Sequence, residues 1–149
     1  MDNLINNIER FPQGHPVRVY IEENILIKQL FEEIFKVDAK EDFQLFFNLF
    51  NQISQVEKHF SRKENQLFPY LEKYGWTSPS QGMWAFHDQN RAVIEVVSKA
   101  IEEKDLDNIL NDLIGVFNSL SQLMLVEEDR HLPNAMKVLN EEDWKEMYE

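Results

Sequence analysis

Cysteine is absent from the 149 residues, which excludes disulfides, thiolate metal sites and cysteine nucleophiles and leaves His, Asp and Glu as the strong metal ligands. Such ligands suit iron, manganese or zinc. Basic residues are scarce, 15 Lys and Arg against 27 Asp and Glu, for a net charge of -12. A surface of that sign repels nucleic-acid phosphates and anionic lipid, so neither nucleic acid nor a membrane is expected as a partner. Glycines and prolines are few, four and five, and they fall where helices begin, end or bend. Strand-like alternation is missing, and the class read from this is all-α. No apolar run is read as reaching the roughly 18 residues of a membrane span, and the opening MDNLINNIER has neither the basic nor the apolar region of a secretion signal. The expectation is one cytoplasmic domain over residues 1–149, long enough to bury roughly 68–70% of its unfolded surface. No phosphate-binding glycine loop and no nucleophile with its base is visible, so whether the chain is an enzyme stays open.

What is present is helical periodicity. A lead-in from Leu4 to Phe11 precedes Pro12-Gln13-Gly14-His15-Pro16, where Pro16 suits the first position of a helix running to about Val37. Its apolar stripe is read as Val19, Ile27, Leu30 and Ile34, with Glu23 in the middle and pointing inward. A second helix, from after Lys40 to about Tyr74, buries Phe46, Phe50, Ile53, Phe60, Leu67 and Leu71 and bends at Pro69. The third spans about Ser80 to Glu103 and the fourth about Asp105 to Leu139. A short last helix, capped by Asn140, carries Trp144, Met147 and Tyr148. Short connections predict an antiparallel up-down-up-down four-helix bundle with short helical segments at both ends.

Two polar breaks interrupt the apolar stripes: HFSRKENQLFP at 59–69 and EEDRHLP at 127–133, each closing on a proline. Burying acids and imidazoles in a helical core is costly unless they are paired or bound to a metal, so two such breaks point to one shared site. Glu64 and Glu57 share the core face of the second helix, whereas His59 lies to one side of it. His87 lies near the edge of the third stripe, and His131 is central on the fourth with Glu127 and Glu128 flanking it. Measured from one end of an up-down bundle, Glu23, Glu64, His87, Glu127 and His131 come level at depths of roughly 11–18 Å. His15 sits at the mouth of that end, and Glu57 lies two turns deeper. Clustered acids repel one another without a cation, which favours a metal site over coincidence. Taken singly, His131 reads as an ordinary hydrogen-bonded core residue and the 127–129 acids as a solvated patch.

The segments GHPVRVYIEEN, HFSRKENQLFP with YLEKYG, MWAFHDQNR and EEDRHLP, in this order, resemble the hemerythrin-like (HHE) cation-binding domains. The likeness is closest to a branch of unknown function often found beside PAS sensory domains, and it covers nearly the whole chain. The resemblance implies a four-helix bundle enclosing a non-haem di-iron site that binds or senses dioxygen, nitric oxide or redox state, or stores iron. Aligned on Leu67-Phe68-Pro69, it retains His15, His59, His87 and Glu127, and it is the only ground for including His59. Three positions depart from it: Lys63 stands for a carboxylate, Arg91 and Leu123 for histidines.

Glu64, Glu23 and His131 offer inward replacements, so the site is read as remodelled and richer in carboxylates, with Glu64 rather than Lys63 facing it. The candidate ligand set is His15, Glu23, His59, Glu64, His87, Glu127 and His131, holding one or two iron ions, with manganese or zinc as other choices. Two other readings stay open. One is a regulatory or interaction bundle, with a partner protein or a second copy, in which Lys63 and Arg91 neutralise leftover acids. The other is a haem held by one of the histidines.

Overall fold

The protein, described here by a computed structural model, is defined over residues 8–147; Tyr148 and the start of the expected lead-in lie outside the described residues. A 3-10 turn at Ile8–Arg10 leads to α1, Pro16–Ile34. Then come α2 (Phe43–Ile53), α3 (Val56–Arg62), a π-turn at Lys63–Leu67 and α4 (Phe68–Lys73). The third run is the single helix α5, Thr77–Glu103. The fourth consists of α6 (Ile109–Val126), a second π-turn at Glu127–His131 and α7 (Leu132–Val138), and α8 (Glu141–Glu146) follows. All regular structure among the described residues is helical.

Local chemistry sets these boundaries. Pro16 opens α1, while the His15 side chain caps it by accepting from Val17 N at 3.1 Å. Asp42 caps α2. Asn140 and Asp143 form a reciprocal capping box at the start of α8. After α4 the chain turns at Gly75, φ +82, a left-handed conformation that suits glycine. The second run is not continuous: Ser54 Oγ donates to the Phe50 carbonyl at 3.0 Å, and the chain makes a turn before α3 restarts at Val56.

The two π-turns share one cause. Phe68 N–H donates to Lys63 O and Leu132 N–H to Glu127 O, each five residues back, and the next residue in each case is a proline. A proline has no N–H for the carbonyl four residues before it and its ring would press on that carbonyl, and widening the turn relieves the clash. A wider turn also points two successive side chains inward. Lys63 with Glu64, and Glu127 with Glu128, are all buried.

The expected α1 stripe holds at Ile27, Leu30 and Ile34, which are buried, and gives way at Val19. Tyr20, Asn24, Ile27, Phe31 and Ile34 are buried, and Val19 is only partly so. Glu23 therefore sits at the rim with its side chain 30% exposed, a correction to its inward placement. Asn24 meets Glu127 while Phe31 packs on Phe117, so α1 and α6 run antiparallel. Beneath the polar breaks, Phe46, Phe50, Ile53, Leu113, Val116 and Leu120 form the apolar core. One run, Ile109–Val138, is long and apolar enough to cross a membrane by length and composition alone. This corrects the reading that no run approaches that length; Leu113, Val116, Leu120 and Leu123 of this run are core residues.

Candidate functional site

The polar breaks do meet. At their centre lies Lys63, fully buried, with its ammonium on Glu127 Oε2, itself fully buried. The same carboxylate faces His59 Nε2 at 3.2 Å from each oxygen and accepts from Asn24 Nδ2 at 3.0 Å. The other ring nitrogen of His59, Nδ1, lies 3.1 Å from Glu23 Oε1, and Arg62 Nη1 donates to both Glu23 oxygens at 2.6 Å. Tyr20 packs edge-on against His59, with ring centres 5.4 Å apart. Chains of contact thus run from α1 through α3 to the second π-turn.

A second group adjoins the first. Glu64 accepts from His87 Nδ1 at 2.9 Å and from both terminal nitrogens of Arg91 at 2.8 Å, a bidentate geometry that a lysine could not supply. Arg91 also binds the exposed acids Glu57 and Asp88. The His87 ring lies flat between Phe60 and Phe68, with centres 4.4 and 5.8 Å away. His131 packs against Phe68 and Trp76. His87 Nε2 and both ring nitrogens of His131 are buried without a hydrogen-bond partner.

Electrostatics follows from this burial. Burial alone would raise Glu127, but the Lys63 ammonium and His59 outweigh it and hold the carboxyl far below its usual range. Burial pushes Lys63 down, opposed first by Glu127 and then by Glu64 and Glu23. His87 is pushed far down by burial and next by Lys63; the same causes bring His131 to about 4. Both imidazoles are therefore neutral at pH 7. Since Glu64 can only accept, His87 carries its proton on Nδ1 and turns a bare Nε2 lone pair into the core. Glu128 is raised by burial, with Lys28 and Asn24 acting against it.

The sequence expectations divide accordingly. Glu64, His87, Glu127 and His131 are buried where the periodicity puts them, and His59 joins them, 1% exposed and at the centre. The periodic reading set His59 aside because it carried one helical phase through Ser54, whereas α3 starts afresh after the turn. His15 stays at the mouth, as cap of α1 between Phe11 and Trp144. Lys63 corrects the expectation that Glu64 faces the site in its place, since the π-turn brings both inside. Asn24, Arg62 and Arg91 are network members that the ligand set lacked, and a count of basic residues at the level of the breaks would have found the last two.

The donor chemistry of imidazoles and carboxylates is right for a metal, but the charge positions are occupied. Glu127 is on Lys63, Glu23 on Arg62, Glu64 on Arg91, and Glu128 has Lys28 at 3.7 Å. Four carboxylates meet four basic groups, and their formal charges cancel. Among the described residues no three His, Asp or Glu side chains close on a common point as metal ligands do. As arranged, the core does not fit a di-metal centre.

No curated protein and no solved structure matches this chain significantly. A model of the hemerythrin HHE cation-binding domain matches residues 15–135, from the cap of α1 to α7. The matched span takes in all four helical runs and every member of the polar core just described, and the chain belongs to the hemerythrin HHE cation-binding domain family.

Proposed function

We propose that this domain is a regulatory or interaction module of hemerythrin type, an up-down-up-down bundle working in the cytoplasm, whose core charges are balanced by its own Lys and Arg side chains instead of a redox metal. The observation that carries the reading is the buried Lys63–Glu127 pair at the centre of the polar core. An ammonium there supplies the counter-charge that the carboxylates need, and excludes a second cation from the same place. The surface agrees with an interaction role. Helix α6 has Asp112 as its one charged residue and exposes Leu110, Ile114 and Leu125, a face suited to a partner protein or a second copy.

The test is elemental analysis of protein purified without added metal, with a visible spectrum and thermal melts in iron, manganese and zinc. Substoichiometric metal, no visible band and an unchanged melting temperature are expected. One or two iron ions per chain with a charge-transfer band would overturn the reading, and a Soret band would put haem in its place.

A second reading has its own observation. The unpartnered buried nitrogens of His87 and His131 are what ligands lacking their ion look like. With Lys63 displaced, they could join Glu64 and Glu127 on iron, manganese or zinc, for sensing dioxygen, nitric oxide or redox state or for iron handling. Iron found in the same analysis would favour it.

A further inference from the structure

The two polar breaks lie in register about their prolines: Lys63-Glu64-Asn65-Gln66-Leu67 precedes Phe68-Pro69 as Glu127-Glu128-Asp129-Arg130-His131 precedes Leu132-Pro133. Each five-residue run forms one π-turn. The first turn ends on Leu67, fully buried and apolar, while the second puts His131 in the same place, 5% exposed. An apolar side chain thus suffices for the fold at this position, and the imidazole brings polar atoms that the packing does not use. Phe68 and Trp76 flank its ring. Both of its nitrogens are buried without a hydrogen-bond partner, although buried polar atoms are paired in the great majority of cases.

His131 lines a cavity outside the charged core. A cleft of about 290 Å³ lies between the N-terminal half of α5 and the second π-turn, with His131 and Met83 as buried lining and Trp76 and Phe86 as half-buried walls. That volume is at the lower end for small-molecule sites and suits one ring with its substituents. Arg130 is exposed, and it is the one residue with a fixed charge among the described residues that line the cleft. It is also the arginine that the fold leaves uncommitted. Arg18, Arg62 and Arg91 each meet a carboxylate and Arg10 lies over the Phe11 ring, whereas Arg130 has no such contact among the described residues. In a chain of net charge -12, an unpaired guanidinium at the mouth of an apolar cleft is a local anchor for an anion, and its fork matches a carboxylate.

We infer that this cleft binds a single-ring aromatic acid that carries a hydroxyl group, with the ring against Trp76, Phe86 and Met83, the carboxylate on Arg130 and the hydroxyl on His131. A hydroxyl is the smallest group that answers either imidazole nitrogen, because it both donates and accepts. A benzoate without it leaves His131 unsatisfied, and a phenol without the carboxylate leaves Arg130 unpaired. The inference gives the regulatory module proposed above a class of effector, and it rests on that reading in one respect, that no metal occupies His131.

The experiment titrates the full-length protein, its metal content measured, with para- and meta-hydroxybenzoate, benzoate and phenol by calorimetry. One of the two hydroxybenzoates is expected to bind once per chain, about tenfold more tightly than benzoate or phenol, the worth of one hydrogen bond to a group otherwise unsatisfied or of one charge-assisted pair. Arg130→Gln is expected to weaken that hydroxybenzoate about tenfold and to leave phenol unchanged. His131→Leu, which copies Leu67, is expected to reduce the hydroxybenzoate to the affinity of benzoate while benzoate itself binds as before, a loss of discrimination that a merely structural role would not produce. In heteronuclear NMR spectra the indole signal of Trp76, assigned by its loss in Trp76→Phe, is expected to move on binding, and that of Trp144, which lines a separate cavity beside His15, to stay. Metal-free protein that binds neither hydroxybenzoate overturns the inference and leaves the self-neutralised core standing. Movement of Trp144 alone, or a preference for the hydroxyl that survives His131→Leu, overturns the placement. Stoichiometric metal in the purified protein overturns both.

Discussion

The Lys63 ammonium and the Glu127 carboxylate lie in contact with neither side chain exposed to solvent, one on the first π-turn and the other on the second. Breaking such a pair from one side leaves a buried charge without a partner, whereas replacing both with apolar groups removes the problem altogether. Glu127→Gln is therefore expected to cost about 3–5 kcal/mol. The double variant Lys63→Met with Glu127→Leu is expected to recover most of that loss. Urea denaturation of Lys63→Met, Glu127→Leu and the double gives the coupling energy; strictly additive effects would show that the two side chains act apart.

The Arg91 fork makes a separate prediction. Its terminal nitrogens take both Glu64 oxygens, its Nε reaches Glu57, and its guanidinium lies 5.5 Å over the Phe60 ring. Lysine keeps the charge but loses the parallel bonds and the planar stacking. Arg91→Lys is expected to lower stability by about 1–2 kcal/mol. An unchanged urea midpoint would show that one point charge suffices for Glu64.

A third prediction concerns backbone strain away from the site. Lys104 ends α5 in the left-handed region, φ 54, the one described non-glycine residue with positive φ. That conformation costs a side-chain-bearing residue about 1–2 kcal/mol. The Lys104 ammonium also stands 5.4 Å over the Phe43 ring, a contact worth about 0.5–1 kcal/mol that glycine would forfeit. The strain outweighs the contact, so Lys104→Gly is expected to raise the urea midpoint, by about 0.5–1 kcal/mol with the slope unchanged. A lower midpoint would show that the ring contact dominates.

Periodicity alone revealed four helical runs, the cap at Asn140 and the turn at Gly75, because burial of an apolar stripe and the backbone demands of a turn act over a few neighbouring residues. It also found Glu64, His87, Glu127 and His131; His87 lies on the unbroken α5, and the π-turns that carry the other three keep them buried. It failed where the helix is irregular. The turn at Ser54 and Gln55 reset the phase that decides His59, and the π-turn before Pro69 brought Lys63 inside beside Glu64. An internal proline announces a defect at its place in the chain but leaves open whether the helix kinks, breaks or widens, and only the packed core chooses. The charge balance of the site was legible in part: Lys63 and Arg91 stood out as cations at ligand positions. Which acid each would meet depends on contacts between helices.

The last prediction is for acid. His131 titrates near 6.5 when unfolded and at about 4 in the fold, held neutral chiefly by burial and next by Lys63. A depressed folded pKa means that the unfolded chain takes the proton first, so the stability tied to the neutral ring is complete above pH 6.5 and drains away as pH falls toward about 4. The difference corresponds to about 3 kcal/mol at roughly 1.4 kcal/mol per pH unit. His87 is depressed for the same reasons and adds loss of the same sign. Glu127, held far below the usual carboxylate range, extends the loss to still lower pH, since its contribution is present above that range and disappears as the carboxyl is forced to protonate. Urea unfolding between pH 7 and pH 4.5 is expected to show stability falling steadily. His131→Phe, an aromatic replacement between Phe68 and Trp76, is expected to remove about half of the slope and leave the part due to His87. A wild-type stability that stays flat across this interval would mean that the buried imidazoles are not held neutral by their surroundings.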